Sequence, residues 1–309
     1  MLGALVTPKA GFFALFLAAA IYVHFRGRVR YGFWRQVTNY STFLAPYNAL
    51  MYLFSKVRAR PIADPNDFPD LAPLRENWRT IREEALRLLD EGGIRSSDRH
   101  DDIAFNSFFK KGWKRFYLKW YDATLPSARQ LCPKTAALVE SIPTVNAAMF
   151  AQLAPHSRLP EHRDPFAGSL RYHLGIVTPN SDACRIFVDG EPHSWRDGEV
   201  LMFDETYIHR AENATDQARV ILFCDIARPL RTPVVRALNR LVSRHVMKVT
   251  ASNNLAAEKI GAVNRLSGRL YAVRRFQKRL KETHRGLYFA GSYLLKSAFI
   301  VGVGALVFL

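Results

Sequence analysis

Between Cys184 and Cys224 the chain is a series of short apolar runs separated by turn signals. Cys184-Arg-Ile-Phe-Val188 meets Asp189-Gly190, a dipeptide suited to the positive φ angles of a tight hairpin. Arg196-Asp-Gly198 turns into Val200-Leu-Met-Phe203, and Arg219-Val-Ile-Leu-Phe-Cys224 reads as a buried strand. Strands this short, recurring about every ten residues, predict a mainly β core built as a sandwich or open barrel.

The two-residue period of a strand then sorts the side chains. His162 and Asp164 point the same way if the chain is extended there. Arg171 and His173 share one face, while Leu170, Tyr172 and Leu174 take the other. A polar pair turned into a barrel needs a buried anionic partner, and a ligand carboxylate provides one. Arg219, sharing its strand with Ile221 and Phe223, raises the same question, since a guanidinium in a β-core is costly unless paired.

His162 and Asp164, with His209 further on, offer two imidazoles and one carboxylate. That is the ligand set of non-haem Fe(II) oxygenases, which leaves coordination positions open. Arg219 follows the distal histidine by ten residues, where such enzymes hold the remote carboxylate of 2-oxoglutarate. A lone His-x-Asp arises by chance in many chains and would read as a turn-side histidine; the distal His and the Arg give it meaning.

The ends of the chain point to a membrane. Leu287–Leu309 is an apolar run with Lys296 as its only charge, close to the roughly 20 residues that cross a bilayer core. Lys296 at the centre would cost about 2.5–3.5 kcal/mol, so a hairpin or interfacial helix is the alternative. Ala10–Phe25, extendable back to Leu2, is a second span, and residues 43–54 form a shorter run that suits a re-entrant, interfacial or core segment. Ala18-Ala19-Ala20 resembles a signal-peptide cleavage site, but Arg26, Arg28, Arg30 and Arg35 follow the apolar run rather than precede it. By the positive-inside bias, these cations and those of 274–285 put both flanks in the cytoplasm.

The net charge is +17, and Arg228–Arg285 alone holds fifteen Lys and Arg against Glu258 and Glu282. Val234, Leu238, Leu241, Val242 and Val246 mark one helix face there, and Leu255 to Leu280 repeat at helical spacing with arginines interleaved. Such helices either lie on an anionic membrane surface or pack on the core with solvated arginine faces. No recognition motif supports nucleic acid. Three scattered cysteines, Cys132, Cys184 and Cys224, exclude a disulfide framework and a thiolate metal site and suit a reducing compartment.

The words around the candidate ligands are H-R-D-P-F-A-G-S-L-R-Y-H-L-G from 162, W-R-D-G-E-V-L-M-F-D-E-T-Y-I-H from 195 and R-V-I-L-F-C-D-I-A-R-P from 219. With Gly112–Leu118 and Cys132–Thr135 upstream, they resemble the aspartyl/asparaginyl β-hydroxylase family over roughly residues 100–230. Within it, the bacterial inner-membrane lipid A 2-hydroxylases also share V-H-F-R-G-R-V-R-Y from Val23 and S-T-F-x-A-P from Ser41. The resemblance implies a double-stranded β-helix (jelly-roll, cupin-like) with flanking α-helices and terminal transmembrane helices. It implies iron on His162, Asp164 and His209, the remote 2-oxoglutarate carboxylate on Arg219, and Arg171 and His173 beside its chelating end. It also implies O2 as cosubstrate and hydroxylation of C2 of a lipid A acyl chain at the cytosolic face. An ornithine-type lipid, a protein Asp or Asn side chain, or a non-catalytic lipid-binding barrel are the alternatives. Animal relatives carry glycine at the place of Asp164 and a serine at the place of Ala151, for which Ser169 is a candidate substitute. The expected organisation is a membrane anchor and juxtamembrane segment over 1–60, a helical linker over 61–99 and the hydroxylase-like domain over 100–232. Basic amphipathic helices over 233–286 and a transmembrane helix over 287–309 complete it.

Overall fold

A computed structural model describes residues 8–96, 102, 105–121, 123–255, 257–258, 261–269 and 271–308. Its strands are β1 (Ile62–Ala63), β2 (Trp113–Trp120), β3 (Ala123–Thr124), β4 (Val145–Leu153), β5 (Ser157–His162) and β6 (Ser169–Val177). They continue as β7 (Cys184–Val188), β8 (Glu191–Ser194), β9 (Val200–Phe203), β10 (His209–Asn213) and β11 (Arg219–Ala227). One sheet has the order β1-β9-β6-β11-β4-β2-β3, the other β5-β10-β7-β8. From β4 to β11 the chain passes back and forth between four neighbouring strands of each sheet. That is the double-stranded β-helix, a jelly roll in which two antiparallel sheets face each other.

The predicted strands and turns form. Asp189 (φ 52°) and Gly190 (φ 90°) join β7 to β8, the left-handed pair that a two-residue hairpin requires. β6 and β11 are buried along almost their whole length. One face of each lines the interior; the other is covered by helices. In the helix Trp78–Asp90, Ile81, Ala85 and Leu88 recur at helical spacing and are buried. Glu84 on that helix accepts from the Lys134 and Thr135 amides, capping the helix Pro133–Ser141.

Two boundaries differ from the sequence reading. The expected linker over 61–99 is part of the β core, because β1 pairs with β9 and the Trp78–Asp90 helix packs on the sheet; residues 97–99 lie outside the described residues. The expected helix from Leu255 starts instead at Ala262, and Ile260 and Leu270 lie outside the described residues. The chain before it returns to the open edge of β2, where Asn254 Nδ2 donates to the Tyr117 carbonyl and Oδ1 accepts from the Tyr117 amide, both at 2.7 Å. Asn254 thus answers the backbone groups that a neighbouring strand would otherwise pair, and Glu258 fixes it by accepting from its amide.

Among the described residues, the helix Pro8–Phe25 is long and apolar enough to cross a membrane. Its Ala19 and Val23 are buried against Ala45, Ala49 and Tyr52. The run at 43–54 becomes the helix Ala45–Leu53, which packs between that helix and the helix Pro233–Val242. Asn48 anchors it to the barrel through the Pro165 carbonyl and the Ala167 amide. The C-terminal apolar run forms a helix, Arg285–Phe308. Asn254→Ala should cost about 1–3 kcal/mol, because it strands a buried amide and carbonyl. A thermal melt of the full-length protein in detergent is expected to show a Tm several degrees lower; an unchanged Tm would mean water replaces the contact.

Candidate active site

The three candidate ligands converge. His162 closes β5, His209 opens β10, and the two are register partners across the smaller sheet with ring centroids 4.2 Å apart. Asp164 follows in the turn, and one ligand atom from each residue falls in a cluster within 4.8 Å. Neighbouring donors on one ion with bonds of about 2.1 Å stand about 3 Å apart, so the three side chains would draw together by up to about 2 Å around an ion. The imidazoles are already oriented for it. His162 Nδ1–H donates to the Pro160 carbonyl at 2.8 Å and His209 Nδ1–H to the Tyr207 carbonyl at 2.9 Å. A carbonyl only accepts, so both rings carry the proton on Nδ1 and present a free Nε2 lone pair. Burial lowers both histidines, His209 to about 3, which keeps them neutral as ligands must be.

Asp164 is held from two sides. Its amide donates to the Glu205 carbonyl at 2.9 Å, and its carboxylate accepts from Arg171 at 2.7 Å. Burial pushes its carboxyl up, and Arg171 with the two histidines overcomes that, leaving it below the usual range. Arg171 also pairs with Asp225 at 2.9 Å, its register partner on β11, and lies 3.8 Å over the Phe223 ring. This corrects the expectation that Arg171 awaits a ligand carboxylate: Asp164 and Asp225 already answer its charge. Glu205 completes the cluster, accepting from Ser169 Oγ at 2.7 Å. One guanidinium serves three buried carboxyls, and burial accordingly pushes Glu205 and Asp225 up. Ser169 is therefore committed to Glu205. It also pairs with Ala227 at the far end of β11 from Arg219, so it does not stand in for the serine expected at the place of Ala151. Ala151 itself is buried opposite Ile221.

Arg219 has no counter-charge. It is 2% exposed, and its Nε has no hydrogen-bond partner. No ion pair forms to it among the described residues, and burial lowers it to about 10. Its guanidinium lies 4.3 Å over the Trp195 ring. Trp195 Nε1–H in turn donates to His173 Nδ1 at 3.3 Å, which puts the His173 proton on Nε2. That Nε2 is buried and unpartnered too. Burial and the nearby Arg171 and Arg219 hold His173 neutral, far below its usual value. Trp195 thus gathers two unsatisfied donors, a guanidinium and an imidazole N–H, on the inner face of one sheet. An anionic ligand is what such a pair lacks.

Trp195, Glu205 and the Tyr207 carbonyl were not legible as site groups in the sequence. The only signal was that F-D-E-T-Y-I-H carries charge inside a run that should be buried. Phe108, whose ring centroid is 4.8 Å from that of His162, lies on a short helix from Asn106.

The family model for aspartyl/asparaginyl β-hydroxylases matches residues 75–229. The chain belongs to that family. It is 35% identical over 187 residues to the ornithine lipid ester-linked acyl 2-hydroxylase of Rhizobium tropici, covering 58% of this chain and 65% of that protein. It is 28% identical over 203 residues to the human aspartyl/asparaginyl β-hydroxylase, covering 63% of this chain and 26% of that protein. The chain therefore spans just under two thirds of the first relative and about a quarter of the second. Among solved structures, a Pseudomonas putida prolyl-4-hydroxylase overlaps 50% of this chain and 87% of its own, with a TM-score of 0.34 and 17% identity.

The raised Glu205 carboxyl has a consequence for metal-free protein. A carboxyl raised by folding keeps protons that the unfolded chain has released, so stability falls as pH rises from about 4.5 through the raised value. Glu205→Gln removes that term while leaving the histidines unchanged. Melting curves from about pH 5 to about pH 8 should fall less steeply for the variant than for wild type; parallel curves would contradict the assignment.

Proposed function

We propose that this chain is an Fe(II)- and 2-oxoglutarate-dependent dioxygenase that hydroxylates C2 of an acyl chain on a membrane lipid, lipid A foremost, at the cytosolic face of the bacterial inner membrane. The observation that carries the reading is Arg219, buried without a counter-charge among the described residues, in the barrel that also holds the His162–Asp164–His209 cluster. His162, Asp164 and His209 would hold the iron, which when bound supplies dioxygen activation coupled to oxidative decarboxylation of 2-oxoglutarate to succinate and CO2. Arg219 would bind the remote carboxylate, and the His173 Nε2–H would donate to the same molecule. Arg171 holds Asp164 by its carboxylate, and the Pro160 and Tyr207 carbonyls hold the imidazoles. Phe108, half-buried next to His162, and Phe105, which packs on Phe108, supply an apolar wall suited to an acyl chain, with exposed Lys110 and Lys111 beside it.

Membrane seating is supported by the apolar helix Pro8–Phe25, whose Phe12, Leu15 and Leu17 are exposed. Arg26, Arg28, Arg30 and Arg35 follow it directly, and the positive-inside bias assigns that flank to the cytosol. Beyond the Ala45–Leu53 helix, the helix Pro233–Val242 exposes Val234, Leu238 and Leu241 and carries no acid. An apolar face edged by Arg236 and Arg240 suits an anionic lipid surface. The excess of cations fits a phosphorylated glycolipid. An ornithine-type lipid is the second reading, favoured by what the Rhizobium relative's name states.

Comparing lipid extracts of cells with and without the gene separates these acceptors, because the gain of one oxygen on lipid A alone selects the first and on ornithine lipid the second. No 2-oxoglutarate consumption by iron-loaded, folded protein with any membrane extract would favour a non-catalytic lipid-binding barrel. Asp164→Ala and His209→Ala should abolish the hydroxylated lipid while the protein stays in the membrane fraction. Arg219→Ala is expected to raise the KM for 2-oxoglutarate by about 30-fold or more, as loss of one partner of a buried charge pair does. Its affinity for metal should stay within about twofold; an unchanged KM would remove Arg219 from the cosubstrate site.

A further inference from the structure

Both candidate ligands on the second half of the site are held by one five-residue connection, Asp204–Ile208, between β9 and β10. The Glu205 carbonyl receives the Asp164 amide, and the Tyr207 carbonyl receives the His209 ring proton. What holds that connection comes largely from outside the barrel. Asp204 Oδ1 accepts from the Thr206 amide, closing the turn internally. Asp204 Oδ2 accepts from Arg26 at 2.6 Å and from Arg228 at 2.9 Å. The other arm of Arg26 donates to Thr206 Oγ1 at 2.6 Å, which also accepts from Tyr52 at 2.7 Å. The Arg26 guanidinium is stacked between the Tyr52 and Tyr207 rings, at 3.7 and 4.2 Å, with its side chain 6% exposed.

Arg26 is the residue after the apolar helix Pro8–Phe25, and its neighbours grip the same region. Arg163, which stands between His162 and Asp164, donates to the Val23 carbonyl at 3.0 Å. The Arg28 and Val29 amides donate to the buried Asp189 carboxylate at 3.0 and 2.9 Å. The Asp189 amide donates to the Ile208 carbonyl, one residue before His209. Gly27 lets the strap lie this close: a Cβ there would stand 2.7 Å from Asp189 Oδ1.

We infer that the strap Val23–Val29 is a structural part of the ligand site, with Arg26 as the positioning residue that sets the Asp204–Ile208 connection, and so couples the seating of the N-terminal helix to the readiness of His209 and Asp164 for metal. This rests on reading the triad as a metal site. Arg228 shares the Asp204 charge, so losing Arg26 leaves the carboxylate paired and the barrel intact but removes one of the two donors to Thr206 Oγ1 and uncovers the Tyr207 face. Groups that orient metal ligands typically contribute 10–100-fold to metal affinity, and the effect of Arg26 should fall in that range.

The test uses full-length protein in detergent or nanodiscs with Co(II) alone, followed by its visible absorption, and circular dichroism to report folding. Arg26→Gln should weaken Co(II) binding about tenfold or more with unchanged circular dichroism, and Arg26→Lys should recover part of the loss. Arg58→Ala, which removes an exposed cation outside the strap, should bind as wild type. Arg26→Gln binding within twofold of wild type would overturn the inference. Should that variant not fold, wild type carries the same test, because coupling is reciprocal. Co(II) should slow amide exchange at Arg28 and Val29; slowing confined to 204–209 would overturn the inference. Wild type that gives no cobalt spectrum would overturn the metal reading itself, a different failure from Co(II) binding that ignores Arg26.

Discussion

Charge buried inside a β-barrel has to be answered by opposite charge or by a ligand, and the cations around this site answer it differently. Arg171 is met by Asp164 and Asp225. Arg26 and Arg228 are met by Asp204. Among the described residues no carboxylate meets Arg219, whose guanidinium lies over the face of Trp195. An uncompensated buried charge costs several kcal/mol, and a protein retains one where a ligand removes the cost. The closed pairs hold Asp164 and the Asp204–Ile208 connection in position, and on the proposed reading Arg219 would receive the anionic cosubstrate.

The fold and the ligands were legible in the sequence to different depths. Turn dipeptides such as Asp189-Gly190 and the two-residue spacing of Arg171 and His173 depend only on local geometry, so the β core followed from them. The triad was legible because His-x-Asp places two donors together and His209 begins a strand. The partner of Arg171 was not, because Asp225 sits opposite it only once β6 and β11 are in register. Asn254 reaching β2, or β1 joining β9, are likewise contacts between segments far apart in the chain. Helical spacing from Leu255 misled for the same reason: a tertiary bond of Asn254 outweighs the local preference for helix.

The N-terminal segment changes in meaning most. As sequence it is an apolar run followed by arginines, enough for an anchor and its orientation. In the structure Arg26, Arg28 and Arg35 turn back to the barrel, and Arg26 is among its most buried cations. Anchor and site form one unit, which suits an enzyme whose substrate carbon lies in a lipid and must be brought to a fixed metal.

The most direct test is to supply isotopically heavy dioxygen to the reconstituted, iron-loaded full-length protein with 2-oxoglutarate and a bacterial lipid extract, and to follow the label by mass spectrometry. The account predicts one heavy oxygen in succinate and one at C2 of a lipid acyl chain, in equal amounts. Label in succinate with none in any lipid would contradict a lipid acceptor, and label in neither would contradict the oxygenase itself.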